Sequence, residues 1–277
     1  RKIHNEINLT ETATESGAPY LLTPEGHAQT GILLVHGFLA SPAELSDFGH
    51  RLSGPDTAVL GVRLAGHGTS PWDLKQRSWR DWLNSVRRGF RILSAFCNQI
   101  IIIGFSMGGA LSLRLAAERP QKLIGVASVS APISYRNRSM AFVPLVHSLN
   151  KLASWLPSFE DIMPFRENDS EHPDINYFNI PVHGLYQLRT LTSDLRNHLA
   201  QVDVPVMILQ GNDDPVVEPE SGRIIYNDLV IADKSLHWIP SDRHGILNED
   251  IGDTQRMLSD FINRLAHDMP KQAETGT

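Results

Sequence analysis

A single serine lies between two glycines in the run IIIIGFSMGG, which places Ser106 in the pattern Gly-x-Ser-x-Gly. Four isoleucines precede the pattern and an amphipathic run follows it, so the serine is expected at a tight turn between a buried strand and a helix. At such a turn the hydroxyl is raised above the sheet, beside the free amides of the helix start. This context favours a nucleophile over the alternative, a glycine-rich turn with an incidental serine.

A serine hydroxyl is a weak nucleophile, so it needs a base and a carboxylate that orients the base. His244 lies after the last predicted strand and before the final predicted helix, and it is expected to be the base. Asp213 and Asp214 compete for the acid, and the pattern Gly-x-x-Asp-x-x-Val that starts at Gly211 favours Asp214. Asp213 is then expected to stabilise the loop.

Two backbone N–H groups have to stabilise the oxyanion that forms when a serine attacks an ester. One is expected from Met107, directly after the serine, and the other from Phe38 in the segment HGFLASP. His36 begins the same segment but has no neighbours at metal-ligand spacing, so no metal site is predicted.

Short apolar runs alternate with helical patterns along the chain. Strands are predicted at residues 32–35, 57–62, 99–103, 124–129, 206–209 and 234–239. Helices are predicted to begin at Ser41, through a capping box with Glu44, and at Ser78, and to cover residues 107–118 and 254–266. This alternation predicts the α/β class, with a doubly wound, mostly parallel sheet.

Residues 132–204 interrupt the alternation because they contain no convincing strand. Helices are predicted over 139–156 and over 182–200, where five leucines share one face: Leu185, Leu188, Leu191, Leu195 and Leu199. We therefore expect an α/β core made of residues 1–131 and 205–269, a helical insertion at 132–204, and a flexible tail at 270–277. Leu145 and Leu149, with Phe38, are expected to contact the substrate, although packing against the sheet is the alternative.

Composition excludes several classes of protein. The chain has 277 residues and a net charge of −6, and its basic residues form no dense cluster, so no nucleic-acid partner is predicted. It contains one cysteine, which cannot form an internal disulfide. No apolar run approaches the ~18 residues of a membrane span. With no visible signal peptide we expect a cytoplasmic protein, while the start at Arg1 leaves a trimmed leader open.

Five segments, LLVHGF, GHGTSP, GFSMGG, LQGNDDPVV and RHGIL, occur in the order and spacing typical of the α/β-hydrolase superfamily. Within it, the chain resembles the bacterial carboxylesterase and monoacylglycerol lipase group over about residues 31–266. The resemblance implies the α/β-hydrolase fold, a helical cap at 132–204, no cofactor, and a loop at the rim of the active site formed by GHGTS. It also implies a catalytic triad and two oxyanion amides at Ser106, Asp214, His244, Phe38 and Met107.

The implied function is hydrolysis of carboxylic esters through an acyl-enzyme intermediate, with a small-molecule ester or an acylglycerol as the substrate. A thioesterase, a perhydrolase or a carbon–carbon bond hydrolase on the same triad stays an alternative, as does a non-catalytic ligand receptor with this fold. Ser106 argues against dehalogenases and epoxide hydrolases, in which an aspartate takes that position. No oligomeric state is predicted.

Overall fold

The computed structural model describes residues 17–136, 165–168, 172 and 174–268. Within them, nine strands are present: β1 (Tyr20–Leu22), β2 (Ala28–Val35), β3 (Thr57–Val62), β4 (Cys97–Phe105), β5 (Leu123–Val129), β6 (Phe165–Glu167), β7 (Asn179–Pro181), β8 (Val206–Gly211) and β9 (Lys234–Ile239). Seven form the main sheet in the order β1-β3-β2-β4-β5-β8-β9. Only the short β1 is antiparallel to its neighbour in this sheet. The predicted α/β fold with a mostly parallel sheet is confirmed.

Helices cover both faces of the main sheet. They are α1 (Ser46–Leu52), α2 (Pro71–Lys75), α3 (Trp79–Ser94), α4 (Met107–Ala116), α5 (Val182–Arg196), α6 (Glu220–Asp228) and α7 (Thr254–Asp268). Buried side chains of α3, α4, α5 and α6 form one apolar layer, and those of α1 and α7 belong to the layer on the opposite face. This is the doubly wound arrangement that the sequence predicts.

The four isoleucines of β4 divide between the two layers. Ile100 and Ile102 pack in the layer of α3 and α4, whereas Ile101 and Ile103 pack in the layer of α7. All four side chains are fully buried, because β4 lies between β2 and β5 and is covered on both faces. An uninterrupted apolar run therefore marks a central strand, and it fixes the position of the turn that follows.

The segment 132–204 departs from the prediction that it contains no strand. β6 and β7 pair antiparallel, with Phe165 opposite Pro181 and Glu167 opposite Asn179. Strands of three residues are too short to show an alternating pattern. The predicted leucine face is present, since all five leucines are buried in α5 and in the 3₁₀ turn Leu199–Gln201. The helix predicted at 139–156 lies outside the described residues, and the domain boundaries stay predictions.

The helix start predicted at Ser41 is wrong in its details. Pro42–Leu45 forms a 3₁₀ turn, and α1 begins only at Ser46. The carboxylate of Glu44 accepts a hydrogen bond from the backbone N–H of Gly37 and does not complete a capping box with Ser41. The box at the start of α3 is present, because Ser78 and Asp81 each bond the other's backbone N–H. A serine followed three residues later by an acidic residue therefore forms a capping box at Ser78 but not at Ser41.

Candidate active site

Ser106 occupies a sharp turn between β4 and α4. Its backbone has φ 52° and ψ −121°, a positive-φ conformation that costs non-glycine residues about 1–3 kcal/mol. Its N–H donates to the carbonyl of Val129 at 2.8 Å, which ties the turn to β5. The strained turn points the serine away from the buried strand, and Ser106 is only partly buried.

The glycines on either side of Ser106 are required by close backbone contacts. A Cβ atom on Gly104 would lie 2.2 Å from the carbonyl oxygen of Gly108. A Cβ atom on Gly108 would lie 2.0 Å from the carbonyl oxygen of Val35. These distances are far below van der Waals contact, so α4 can lie this close to β4 and β2 only with glycine at both positions.

His244 lies between Ser106 and Asp214. Its Nε2 atom is 2.9 Å from Ser106 Oγ, and its Nδ1 atom is 2.8 Å from Asp214 Oδ2. Asp214 is fully buried and cannot donate a proton when ionised, so it accepts the Nδ1–H bond. The Nε2 lone pair then faces the serine hydroxyl. The structure thus brings the three predicted side chains together.

The second predicted candidate for the acid lies elsewhere. Asp213 is exposed, and its backbone N–H donates to the carbonyl of Ser241 at 3.0 Å. Asp214 Oδ1 accepts the N–H groups of Val216 and Val217, each at 2.9 Å. The loop after β8 therefore directs the second of the two aspartates towards His244 and leaves the first at the surface.

The loop after β2 is held by the buried ring of His36. Burial lowers the pKa of His36 to about 4, so the ring is neutral at pH 7. Its Nδ1–H donates to the carbonyl of Gly37 at 2.9 Å, and its Nε2 accepts the N–H of Leu64 at 3.2 Å. One imidazole thus fixes the Gly37 carbonyl and links the loop to the end of β3. In this structure the ring of His36 therefore has a structural task.

Phe38, the predicted source of an oxyanion amide, packs on the segment GHGTS. Its ring lies 5.9 Å from the His67 ring and 5.7 Å from the Trp82 ring, measured between centroids. The Tyr177 hydroxyl donates to the Gly66 carbonyl at 3.1 Å and accepts the N–H of Thr69 at 2.6 Å. Sequence reasoning missed Tyr177, because a lone tyrosine in a loop carries no pattern. The segment GHGTS therefore packs against the Phe38 ring through His67.

Met107, the other predicted source of an oxyanion amide, is the first residue of α4 and is fully buried. N–H groups in the first turn of a helix have no acceptor within the helix, which leaves them available to a ligand. The helix dipole also favours negative charge at this end. The roles of the Met107 and Phe38 amides stay predictions.

A cavity of about 410 Å³ opens onto Ser106 and His244. Phe38 contributes to its wall, together with apolar side chains that include Leu39, Tyr135, Ile180, Leu185 and Leu188. Polar side chains from β6 and the following segment also contribute: Arg166, Glu167, Asn168, His172 and Asn176. Leu145 and Leu149 lie outside the described residues, so their contact with substrate stays a prediction.

Glu44 also lines this cavity, and sequence reasoning missed it. A glutamate three residues after Ser41 matches the capping-box pattern, so its type and spacing suggested a local task. Glu44 instead bonds Gly37, which lies seven residues earlier. This spacing matches no known sequence pattern, so the contact could not be predicted.

The part of the chain that the structure describes contains neither a metal-binding cluster nor a membrane-spanning helix. There, no cluster of three or more histidine, cysteine, aspartate or glutamate side chains is arranged to bind a metal ion. No helix in this part has the length and apolar character needed to cross a membrane. Cys97 is a buried free thiol that packs in the apolar layer of α3 and α4.

The sequence of this chain is similar to one protein family and to individual bacterial enzymes. A family model described as serine aminopeptidase, S33, matches residues 26–251. The chain is 28% identical over 217 residues to a thermostable monoacylglycerol lipase of Bacillus sp. (strain H-257), covering 77% of this chain and 82% of the relative. It is 26% identical over 236 residues to a carboxylesterase of Bacillus subtilis (strain 168), covering 84% and 92%.

The fold is similar to that of a solved structure from work on LipS and LipT, two metagenome-derived lipolytic enzymes. The TM-score is 0.75 at 23% sequence identity, and the match covers 92% of this chain and 99% of the other. At this identity the likeness supports the fold alone.

Proposed function

Since the chain belongs to the serine aminopeptidase S33 family of α/β hydrolases and is an ester hydrolase, we propose that it forms an acyl-enzyme on Ser106. The proposed substrates are small carboxylic esters and monoacylglycerols. The observation that carries the proposal is the continuous chain of hydrogen bonds from Ser106 Oγ through His244 to Asp214 Oδ2. This chain opens onto a cavity large enough for a small ligand.

In the acylation step, His244 Nε2 takes the proton of the Ser106 hydroxyl while Oγ attacks the ester carbonyl. The 2.9 Å distance between these atoms is within hydrogen-bond reach, so no rearrangement is needed for the transfer. Asp214 stabilises the imidazolium that results and keeps the ring in its productive tautomer. The amides of Phe38 and Met107 donate to the oxyanion, and the imidazolium then protonates the leaving alcohol.

In the deacylation step, water replaces the alcohol beside His244. The same Nε2 atom takes a proton from the water, the resulting hydroxide attacks the acyl carbonyl, and a second tetrahedral intermediate forms. Its collapse releases the carboxylic acid and returns the proton to Ser106 Oγ. No cofactor takes part in either step.

The substrate class is supported by the mixed lining of the cavity. Apolar side chains such as Leu185 and Leu188 suit an acyl chain, whereas polar groups such as Arg166 and Asn168 suit the hydroxyls of an alcohol. A monoacylglycerol has both parts, and the relatives of this chain include proteins named monoacylglycerol lipase and carboxylesterase.

The first test compares the wild type with Ser106→Ala on p-nitrophenyl butyrate and on monobutyrin. We expect kcat/KM to fall by at least about 10⁴-fold, because the nucleophile is lost. Labelling by a fluorophosphonate should disappear in the same variant. Ser259→Ala, in which a serine of α7 loses a 2.8 Å bond to the Gln255 carbonyl, is the matched control and should keep wild-type activity.

The substrate assignment is tested on the same preparation with oxygen esters, thioesters and a vinylogous diketone of similar size. A preference for oxygen esters supports the proposal, and a preference for either other class contradicts it. Hydrolysis by Ser106→Ala at the wild-type rate would show that the nucleophile is assigned wrongly.

A further inference from the structure

We infer that Glu44 is a positioning residue of the oxyanion hole. Its buried carboxyl group holds the Gly37 amide and so fixes the loop that presents the Phe38 N–H to the substrate. The inference rests on the proposed function, because it assigns a task within the same acyl-transfer site. Neither the resemblance of the sequence nor the triad itself requires a carboxyl group at this place.

The first argument is the hydrogen bonding around Gly37. Glu44 Oε2 accepts the Gly37 N–H at 2.6 Å, and both groups are buried. On the other side of the Gly37 Cα atom, the His36 ring donates to the Gly37 carbonyl at 2.9 Å. That carbonyl belongs to the same planar peptide unit as the Phe38 N–H. With both peptide units of the glycine held by side chains, the direction of the Phe38 N–H is fixed.

The second argument is the position of Glu44 relative to the nucleophile. Glu44 lines the same cavity as Ser106 and His244. A Cβ atom on Gly37 would lie 3.3 Å from Glu44 Oε2 and 3.5 Å from the Cβ of Ser106. The carboxyl group and the nucleophile therefore both border the space beside Gly37. The Glu44 bond therefore acts on a part of the loop that adjoins Ser106.

The third argument concerns the cost of burying this group. A carboxyl group is expensive to remove from water unless it is well bonded, and Glu44 is only 9% exposed. Burial raises its pKa to about 7, while the Gly37 amide and, whenever it is protonated, the His244 ring act in the opposite direction. These groups favour the ionised carboxylate, which is the stronger hydrogen-bond acceptor.

The test uses two substitutions that conserve the size of the side chain. Glu44→Gln keeps an acceptor oxygen for the Gly37 amide but removes the charge, whereas Glu44→Met removes the acceptor as well. For each protein, kcat and KM are measured at pH 8 with p-nitrophenyl butyrate. The inhibition constant of an aryl boronic acid, an analogue of the tetrahedral intermediate, is measured in parallel. Active-site concentration is taken from the end point of fluorophosphonate titration, so unfolded protein does not count.

We expect Glu44→Met to lower kcat about tenfold to a hundredfold with KM within about threefold, because a displaced amide weakens only the transition state. Boronic acid binding should weaken in parallel. Glu44→Gln should keep kcat within about threefold of wild type, since the amide oxygen restores the bond. Gln99→Met, which removes a buried 3.0 Å bond to Thr30 near the amino end of β4, is the control and should lose stability but not kcat.

Three results would overturn the inference. The first is a Glu44→Met enzyme with kcat within twofold of wild type, which shows that the bond does not position the amide. The second is a Glu44→Gln enzyme as impaired as Glu44→Met, since the acceptor is then irrelevant. The third is an equal fall of kcat in Gln99→Met, which assigns the effect to general loss of packing. In each case Ser106→Ala still reports separately on the proposed function.

Discussion

At the scale of single residues, the two oxygens of Asp214 have different partners. Oδ1 accepts the amides of Val216 and Val217, which fixes the rotation of the carboxylate. Oδ2 is thereby left to accept the Nδ1–H of His244 at 2.8 Å. A carboxylate that is held on one side by its own loop can orient the imidazole without moving.

Asp214→Asn is expected to lower kcat about 10⁴-fold with a small effect on folding. The asparagine oxygen can still accept the two loop amides, but its NH₂ group then faces Nδ1. The ring would carry its proton on Nε2 and could not act as the base. Steady-state kinetics with p-nitrophenyl butyrate and a thermal melt measure the two effects.

Asp213→Asn is the matched control, since the exposed neighbour makes the same chemical change one residue earlier. It should keep kcat within about twofold, as expected for an exposed position away from the site. A result in which Asp213→Asn is inactive and Asp214→Asn is active would reverse the assignment of the acid.

Candidate site residues that belong to a sequence pattern could be predicted from the sequence. Ser106, Asp214 and His244 each follow a predicted strand, and parallel strands carry such residues to one edge of the sheet. Glu44 and Tyr177 could not be found in this way, because their partners, Gly37, Gly66 and Thr69, are defined by the approach of loops in space. The pattern around Glu44 even suggested a different bond.

At the scale of elements, the junction of β4 and α4 depends on how closely the helix approaches β2. The contact between the Gly108 Cα and the Val35 carbonyl has no room for a methyl group. This approach also brings the start of α4 close to the carbonyl of His36, at the beginning of the loop that contains Phe38. Helix packing and the geometry of the site therefore rest on the same glycine.

Gly108→Ala is expected to lower the free energy of unfolding by at least about 2 kcal/mol, because backbone has to move to admit the methyl group. The displacement of α4 should also reduce kcat in the folded fraction. Chemical denaturation and kinetics corrected by active-site titration measure both.

Gly54→Ala, at a glycine with no atom within 4 Å of the added Cβ, is the control and should be nearly neutral. Equal stability of the two variants would contradict the steric argument.

Long elements were predictable and short ones were not. The central strands have apolar residues on both faces, and α3 has a stripe of four buried residues, Trp82, Val86, Phe90 and Leu93. By contrast, β1, β6 and β7 have three residues each, and their pairing is decided by neighbours rather than by their own sequence. The first α-helix begins at Ser46 instead of Ser41, and this too depends on a contact that the local pattern does not show, the bond of Glu44 to Gly37.

At the scale of the whole molecule, buried titratable groups near the site make the free energy of unfolding depend on pH. Glu44 and His36 change it in opposite directions. Burial raises the pKa of Glu44 from 4.5 to about 7, so the folded state binds the proton more tightly and its stability falls as pH rises through this window. Burial lowers the pKa of His36 from 6.5 to about 4, so stability is instead lost as pH falls through that window. Burial acts on His67 in the same direction as on His36.

Glu44→Gln removes only the first of these effects. The difference in unfolding free energy between Glu44→Gln and wild type is expected to change in favour of the variant by roughly 3 kcal/mol between pH 4.5 and 7. Denaturant titrations at half-unit steps of pH measure the difference.

Glu25→Gln, at an exposed glutamate, is the control and should give a difference that does not vary with pH. A flat difference for Glu44→Gln as well would show that the carboxyl group is hydrated in the folded protein. Glu44→Gln should also become less stable on acidification from pH 6.5 to 4, because the lowered pKa of His36 still opposes protonation in the folded state.

Under the proposed mechanism, the order of the residues along the chain also determines when the serine becomes reactive during synthesis. The part of the chain that carries β1 to β5 leaves the ribosome together with Ser106, and His244 follows 138 residues later. At usual rates of translation this delay is on the order of ten seconds. Under the proposed mechanism, the Ser106 hydroxyl stays an ordinary alcohol throughout this delay, because the proposed base arrives only with the loop after β9. We therefore expect the nascent chain to be inactive, so that the first turnover reports that β8 and β9 have docked.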